Sequence, residues 1–210
     1  MAGKLKIYNG STSSWDYAGE GVSDNSTDTI SEATTDAGVT IDGLNIKDNF
    51  LVNPYKFRAI LTTAQASVAS GTQQDIIFDQ DSSTIYASYD TNNNYSTSTG
   101  EYTIPVSGYY DFYGQYLAYY GGTVFGSPRI YIYIQVKPSG GSYATGASNM
   151  AMPDASTTTR HTTNTSYSAY LNAGDMVKCV ALIYYSSGAP YVNGDSAGQY
   201  SYFQGRLISK

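Results

Sequence analysis

From about residue 54 onward, apolar and polar residues alternate in short runs set apart by Gly, Asn and Pro. "RIYIYIQVK" (129–137) alternates without a break, with Ile130, Ile132, Ile134 and Val136 on one side and Arg129, Tyr131, Tyr133, Gln135 and Lys137 on the other. A period of two is the mark of an antiparallel strand with one face in a core. In "GYYDFYGQYLAYY" (108–120), Tyr110, Phe112, Tyr116 and Tyr120 fall on one face. "MVKCVALIYY" (176–185) is apolar on both faces, as expected of a central strand or one turned toward a subunit interface. This spacing of strands and loops predicts an all-β sandwich or barrel, and no helical period of useful length occurs.

The pattern weakens toward the N-terminus and predicts three parts: 1–27, 28–53 and 54–210. In 28–53, Val39, Ile41, Leu44 and Ile46 alternate as in a strand, but Gly38 and Gly43, beside Asp36, Asp42 and Asp48, interrupt the run. One chain cannot cover so short an apolar row. The expectation is a stalk in which three copies pack these four residues about an axis. In 1–27, "KLKIY" is strand-like and Asn9-Gly10 signals a turn. The rest of that segment is too poor in apolar residues to close a core. Ile7, Tyr8, Trp15 and Tyr17 are its natural anchors for docking on another protein.

Composition narrows the class. Thr, Ser, Tyr and Gly dominate, leucine is scarce and charged residues make up only 13%, which favours strands over helices. The net charge of −6 and scattered basic residues argue against a nucleic-acid partner, which normally meets clustered Lys and Arg. With one cysteine, Cys179, no intrachain disulfide can form. The N-terminus lacks the apolar stretch of a secretory signal, and no run approaches the length of a membrane span. The expectation is a chain made in a cytoplasm, with no membrane insertion.

Five further stretches carry a resemblance. "FRAIL" (57–61), "DIIFDQ" (75–80), "YDTNNNYSTSTGEYTIPVSGYYDF" (89–112), "LNAGDMVKCV" (171–180) and "YSYFQGRLI" (200–208) resemble, in order, the strands and turns of the C1q/TNF-like jelly roll. That resemblance implies a jelly-roll sandwich over 54–210 that assembles as a homotrimer. "TTDAGVTIDGLNIKD" resembles a linker motif of bacteriophage structural proteins through Thr34, Asp36, Gly38, Val39, Ile41, Asp42, Gly43, Ile46, Lys47 and Asp48. "KLKIYNGSTSSWDYAG" is similar to N-terminal elements of phage virion proteins. Together they imply a virion arm over 1–27 that attaches to a capsid or tail protein, a short trimeric stalk over 28–53, and assembly in a bacterial cytoplasm.

Candidate chemistry is thin. His161, the sole histidine, sits in a Ser/Thr run, and one His with one Cys cannot build a zinc site. No phosphate-binding Gly-Lys-Ser/Thr loop occurs. Asp79 and Asp81 lack the glycine and distal glutamate of a calcium loop, and Asp154 and Asp195 are candidates for a Ca²⁺ on a trimer axis only through the resemblance. No enzyme activity, cofactor or resident metal is expected. The 23 tyrosines are the salient feature. Tyr119, Tyr120, Tyr143, Tyr184, Tyr185 and Tyr191 stand among Gly, Ser and Asn, the residue mixture of antibody contact loops. The function expected is a non-enzymatic head or tail fibre whose trimeric head binds a host-surface glycan or protein through these tyrosines. The competing expectation is a capsid decoration protein that stabilises the shell without a receptor.

Overall fold

The computed structural model describes residues 6–9, 14–17, 39–41, 44–47 and 50–51, and from 55 onward all but 66–67, 83–87, 121–127, 154–159, 187 and 196. Residues 1–52 and 53–210 form two compact units. In the first, β1 (Lys6–Asn9) pairs antiparallel with β2 (Ser14–Tyr17), setting Ile7 opposite Asp16 and Tyr8 opposite Trp15, while Tyr17 faces Lys6. β3 (Val39–Ile41), β4 (Leu44–Lys47) and β5 (Phe50–Leu51) make a small sheet within the one chain. Its register sets Val39 opposite Ile46 and Ile41 opposite Leu44. In sequence the two strands are separated by Asp42-Gly43, a dipeptide that favours hairpins.

The second unit is an all-β jelly-roll sandwich with no helix among the described residues. Its strands are β6 (Lys56–Ile60), β7 (Gln73–Asp75), β8 (Tyr89–Asp90), β9 (Glu101–Thr103), β10 (Gly108–Tyr119), β11 (Arg129–Lys137), β12 (Ala144–Ala151), β13 (Arg160–Leu171), β14 (Met176–Tyr184), β15 (Tyr191–Asn193) and β16 (Tyr202–Ser209). One sheet runs β13-β10-β16-β6-β8 with β15 also on β10. The other runs β12-β11-β14-β7 with β9 also on β14. Non-sequential neighbours in both sheets are what a jelly roll requires, since the chain alternates between its two layers.

The alternation read from the sequence sets the inner faces. Ile130, Ile132 and Ile134 of β11 are fully buried, as are Tyr110, Phe112 and Tyr116 of β10. Between the sheets the rings interlock. Phe57 stacks on Tyr102 with centroids 4.2 Å apart and meets Phe203 edge-on at 5.0 Å, and Phe112 lies 5.9 Å from Phe203. Such contacts add to the large area each ring removes from water. β14 is buried on both faces because it is central, between β11 and the short β7 and β9. Cys179 is fully buried, and burial pushes its thiol pKa well up. It is core filling.

One predicted strand is shorter than expected. "DIIFDQ" joins the sheet only through β7, which ends at Asp75. Ile76 still donates to the Cys179 carbonyl at 3.0 Å, but Gln80 bridges to Ile60 in the opposite sheet. The segment therefore crosses between layers, with Ile76 and Phe78 buried on the way. Periodicity registers that burial but not the change of partner.

The turn before β14 follows from Gly174, whose φ of +89° suits glycine. Beside it, Asp175 accepts from the backbone N–H groups of Asn172 (2.9 Å) and Ser139 (3.0 Å), tying two loops together. Gly205 makes room for the aromatic core. A Cβ there would stand 2.5 Å from the Phe112 ring and 2.8 Å from that of Phe57. Gly205→Ala is expected to force those rings off their rotamers and cost about 1–3 kcal/mol, the range for overpacking a filled core. Urea denaturation of the variant measures this directly, and an unchanged midpoint would contradict the close packing.

Candidate ligand-binding site

The sandwich has two ends of different character. β6 begins at Lys56 and β16 finishes at Ser209 beside Tyr109, at the start of β10. The chain thus enters and leaves the unit at one end. The opposite end is where β10 finishes and β11 starts, where β13 begins beside Tyr119, and where β14 hands over to β15. The two layers are tied there by the Tyr116 hydroxyl, which donates to the Tyr131 carbonyl at 2.9 Å.

Four of the six tyrosines expected to make contacts gather at this far end. Tyr119 and Tyr191 are cross-strand partners with centroids 5.0 Å apart. Tyr184 closes β14, its ring 5.9 Å from and edge-on to Tyr131. Tyr185 follows, its backbone held on both sides by Ser70, which donates to its carbonyl at 2.9 Å and accepts from its N–H at 3.1 Å. All four are half-buried, so each ring is anchored and still offers surface.

Two arginines complete the end. The Arg129 guanidinium lies 4.6 Å from the Tyr184 centroid, and that of Arg160 lies 5.2 Å from Tyr119. Among the described residues no carboxylate pairs with either. A guanidinium over a tyrosine face keeps its rim of donors outward while the ring holds its plane. Neither arginine was singled out from the sequence. The signal present was Arg129 heading the polar side of its strand, and Arg160 had no local mark.

The other two tyrosines do not join them. Tyr120 is 1% exposed and belongs to the core, so it offers no contact surface. The alternation in 108–120 already placed it on the inward face with Tyr116. Tyr143 lies at the opposite end, where its hydroxyl donates to Glu101 and its ring covers the Lys178 ammonium at 3.9 Å. Lys178 is largely buried and pairs with Asp75 at 2.7 Å. Tyr143 is thus a lid over a polar cluster.

Loop acids hold loops. Asp79 accepts from the backbone of Thr62 at 2.6 Å and of Thr63 at 3.1 Å. Asp195 accepts from Ala197, Gln199 and Tyr200, and Asp90 from Tyr95. Carboxylates engaged in this way lock turns. Asp154 lies outside the described residues. Among those described, no three His, Cys, Asp or Glu side chains gather as metal ligands. The side chains of Ile7, Tyr8, Trp15, Tyr17, Val39, Ile41, Leu44 and Ile46 also lie outside the description.

The six-stranded sheet has a second unusual surface. Its outer face carries Tyr109 and Tyr170, 54% and 52% exposed and edge-to-face at 5.3 Å. Tyr113 stacks on Tyr202 at 5.6 Å with Arg58 4.3 Å from the Tyr202 centroid. Beside them is an open cleft of about 580 Å³ lined in part by Lys56, Tyr89, Asp111, Gln204 and Arg206. Asp111 accepts from Ser168 and meets Arg206 at 3.8 Å. Exposed rings in this number mark an interaction surface.

The Tyr143–Glu101 pair has a pH signature. The Tyr143 hydroxyl chiefly lowers the Glu101 pKa, while burial first, and then Glu101, raise that of Tyr143. A lowered carboxylate contributes stability above its unfolded pKa of about 4.3 that is lost as pH falls through the folded value. A raised phenol contributes stability below its unfolded pKa of about 10 that is lost as pH rises through the folded value. Wild type is therefore expected to exceed Tyr143→Phe in stability between these limits and to lose the advantage toward pH 3. Urea midpoints at pH 7 and pH 3 check it, and a constant difference would show that the bond contributes nothing.

No protein-family model and no curated protein sequence matches the chain. Among solved structures, the chain is similar to the globular domain of zebrafish complement 1qA protein. The identity is 17%, with 74% of this chain and 98% of that one covered and a TM-score of 0.48. It is also similar to Eiger TNF from S. frugiperda, at 12% identity, with 74% and 93% covered and a TM-score of 0.48.

Proposed function

We propose that this chain is a non-enzymatic adhesive protein of a bacteriophage virion, a head or tail fibre whose C-terminal unit binds a host-surface glycan or protein. One observation carries the reading. The chain enters the jelly roll at one end, and Tyr119, Tyr184, Tyr185 and Tyr191, with Arg129 and Arg160, gather at the other. A module tethered at one end and furnished with anchored aromatic rings and free guanidinium groups at the other is built to touch something beyond its own support. Tyrosine and arginine are also the side chains that dominate contact energies at interfaces.

Assembly is part of the proposal. The exposed rings of Tyr109 and Tyr170 form a surface that a second and third copy would cover, giving a homotrimer. Three heads on one stem multiply weak single contacts through effective concentration. Residues 28–53 form the stalk, with Val39, Ile41, Leu44 and Ile46 packed between copies. Residues 1–27 attach to a capsid or tail protein through Ile7, Tyr8, Trp15 and Tyr17. Assembly takes place in the bacterial cytoplasm and the finished protein sits on the virion surface.

Light scattering coupled to size exclusion is expected to give three times the 22.6 kDa chain mass. The Tyr109→Glu/Tyr170→Glu variant is expected to shift it toward monomer, and a wild-type monomer would overturn the assembly. Tyr119→Ala/Tyr191→Ala, at the far end, is expected to keep the trimer and lower retention on host cells at least tenfold. Unchanged retention would remove that end from the contact.

A further inference from the structure

The outer face of the five-stranded sheet carries an aromatic track that descends from the far end. Tyr131 and Tyr133 stand two residues apart on β11, their ring planes within 10° and their centroids 6.1 Å apart. Tyr184 joins this pair edge-on through Tyr131, and Arg129 lies over Tyr184. The register places Leu182 directly across from Tyr131 and Val180 across from Tyr133. Both aliphatic residues are on the outward face of the sheet, yet they are only 7% and 1% exposed. Tyr131 and Tyr133 beside them remain half-exposed. On the other side of β11, Met150 lies across from Tyr131 and the exposed Ser148 across from Tyr133. Below the rings, the Gln135 amide donates to Gln73 at 3.0 Å.

Charge along the track is uneven. At its lower end Lys178 is neutralised by Asp75 and Tyr143 is bonded to Glu101. At its upper end Arg129 has no carboxylate partner among the described residues. The chain as a whole is at −6. A positive group left uncompensated on an acidic protein selects locally for an anion that the global field would otherwise repel.

We infer that the track Arg129–Tyr184–Tyr131–Tyr133 binds an extended saccharide chain bearing anionic groups. The two rings, parallel and 6.1 Å apart along the strand, set an aromatic repeat along which successive sugar units can lie. The exposed Gln73 amide, held by Gln135, and the exposed Ser148 hydroxyl lie on the same face for sugar hydroxyls. Arg129 supplies a planar fork for a carboxylate or a phosphate. This deepens the adhesive reading and rests on it.

The test titrates the full-length protein with oligogalacturonate, phosphorylated mannan and neutral dextran at about 0.15 M ionic strength, where long-range charge effects are screened. At least one anionic chain is expected to bind ten times more tightly than dextran, and which one does so identifies the acidic group. Tyr133→Leu keeps an apolar cover over Val180 and removes the ring; it is expected to weaken that binding at least tenfold. Arg129→Gln is expected to bring the anionic chain down toward dextran. Binding no better than dextran, or binding untouched by both substitutions, overturns the inference. Retention on host cells that still depends on Tyr119 and Tyr191 would then leave the adhesive reading standing. Retention on no cell surface would overturn both.

Discussion

The head depends on packing aromatic rings between two sheets where one strand has given up its side chain. Phe57, Tyr102, Phe112 and Phe203 meet face and edge between the layers, and the space for Phe112 exists because residue 205 is glycine. Aromatic cores are rigid: each ring has few rotamers, and a shift in one is transmitted to its neighbours at native packing density. That rigidity fixes β6, β10 and β16 of one sheet against β9 of the other. β10 carries Tyr119 and pairs with β13 and β15, which bring Arg160 and Tyr191 beside it, so geometry set inside the sandwich bears on what the far end can present.

Tyrosine takes two roles here, and the environment decides which. In the core its ring supplies area, and at two positions its hydroxyl donates to a carbonyl: Tyr110 to that of Val106 and Tyr116 to that of Tyr131. Burial pushes the Tyr110 pKa up to about 12 and raises that of Tyr116 well above the ordinary phenol value, so both remain neutral donors at physiological pH. On the surface the same residue lies under a guanidinium or beside another ring. There its face is free on one side and its hydroxyl reaches solvent. A chain rich in tyrosine and poor in phenylalanine can build both from one side chain.

Much of this was legible in the sequence, and the failures have physical causes. Strict alternation gave β11 and the buried face of β10, because a period of two maps directly onto the two faces of a strand. Gly205 and the Gly174-Asp175 turn fall inside "YSYFQGRLI" and "LNAGDMVKCV", where the packing needs a missing side chain and the turn a left-handed φ. Tyr120 was misplaced because its Gly-rich C-terminal neighbours suggested a loop, whereas its spacing from Tyr116 already put it inside. The contacts of Tyr143 with Glu101 and Lys178 are illegible in the sequence because those residues come from strands far away in the chain. The pairing of Arg129 with Tyr184 was illegible for the same reason, as strand register links them across 55 positions.

The central claim is polarity: attachment at one end of the head and contact at the other. Electron cryo-microscopy of the particle that displays this chain tests it most directly. The account predicts threefold knobs on thin stems, with Tyr119, Tyr184 and Tyr191 pointing away from the particle. Heads lying flat across subunit junctions, with those residues packed against neighbouring shell proteins, would contradict it and assign the chain to shell stabilisation.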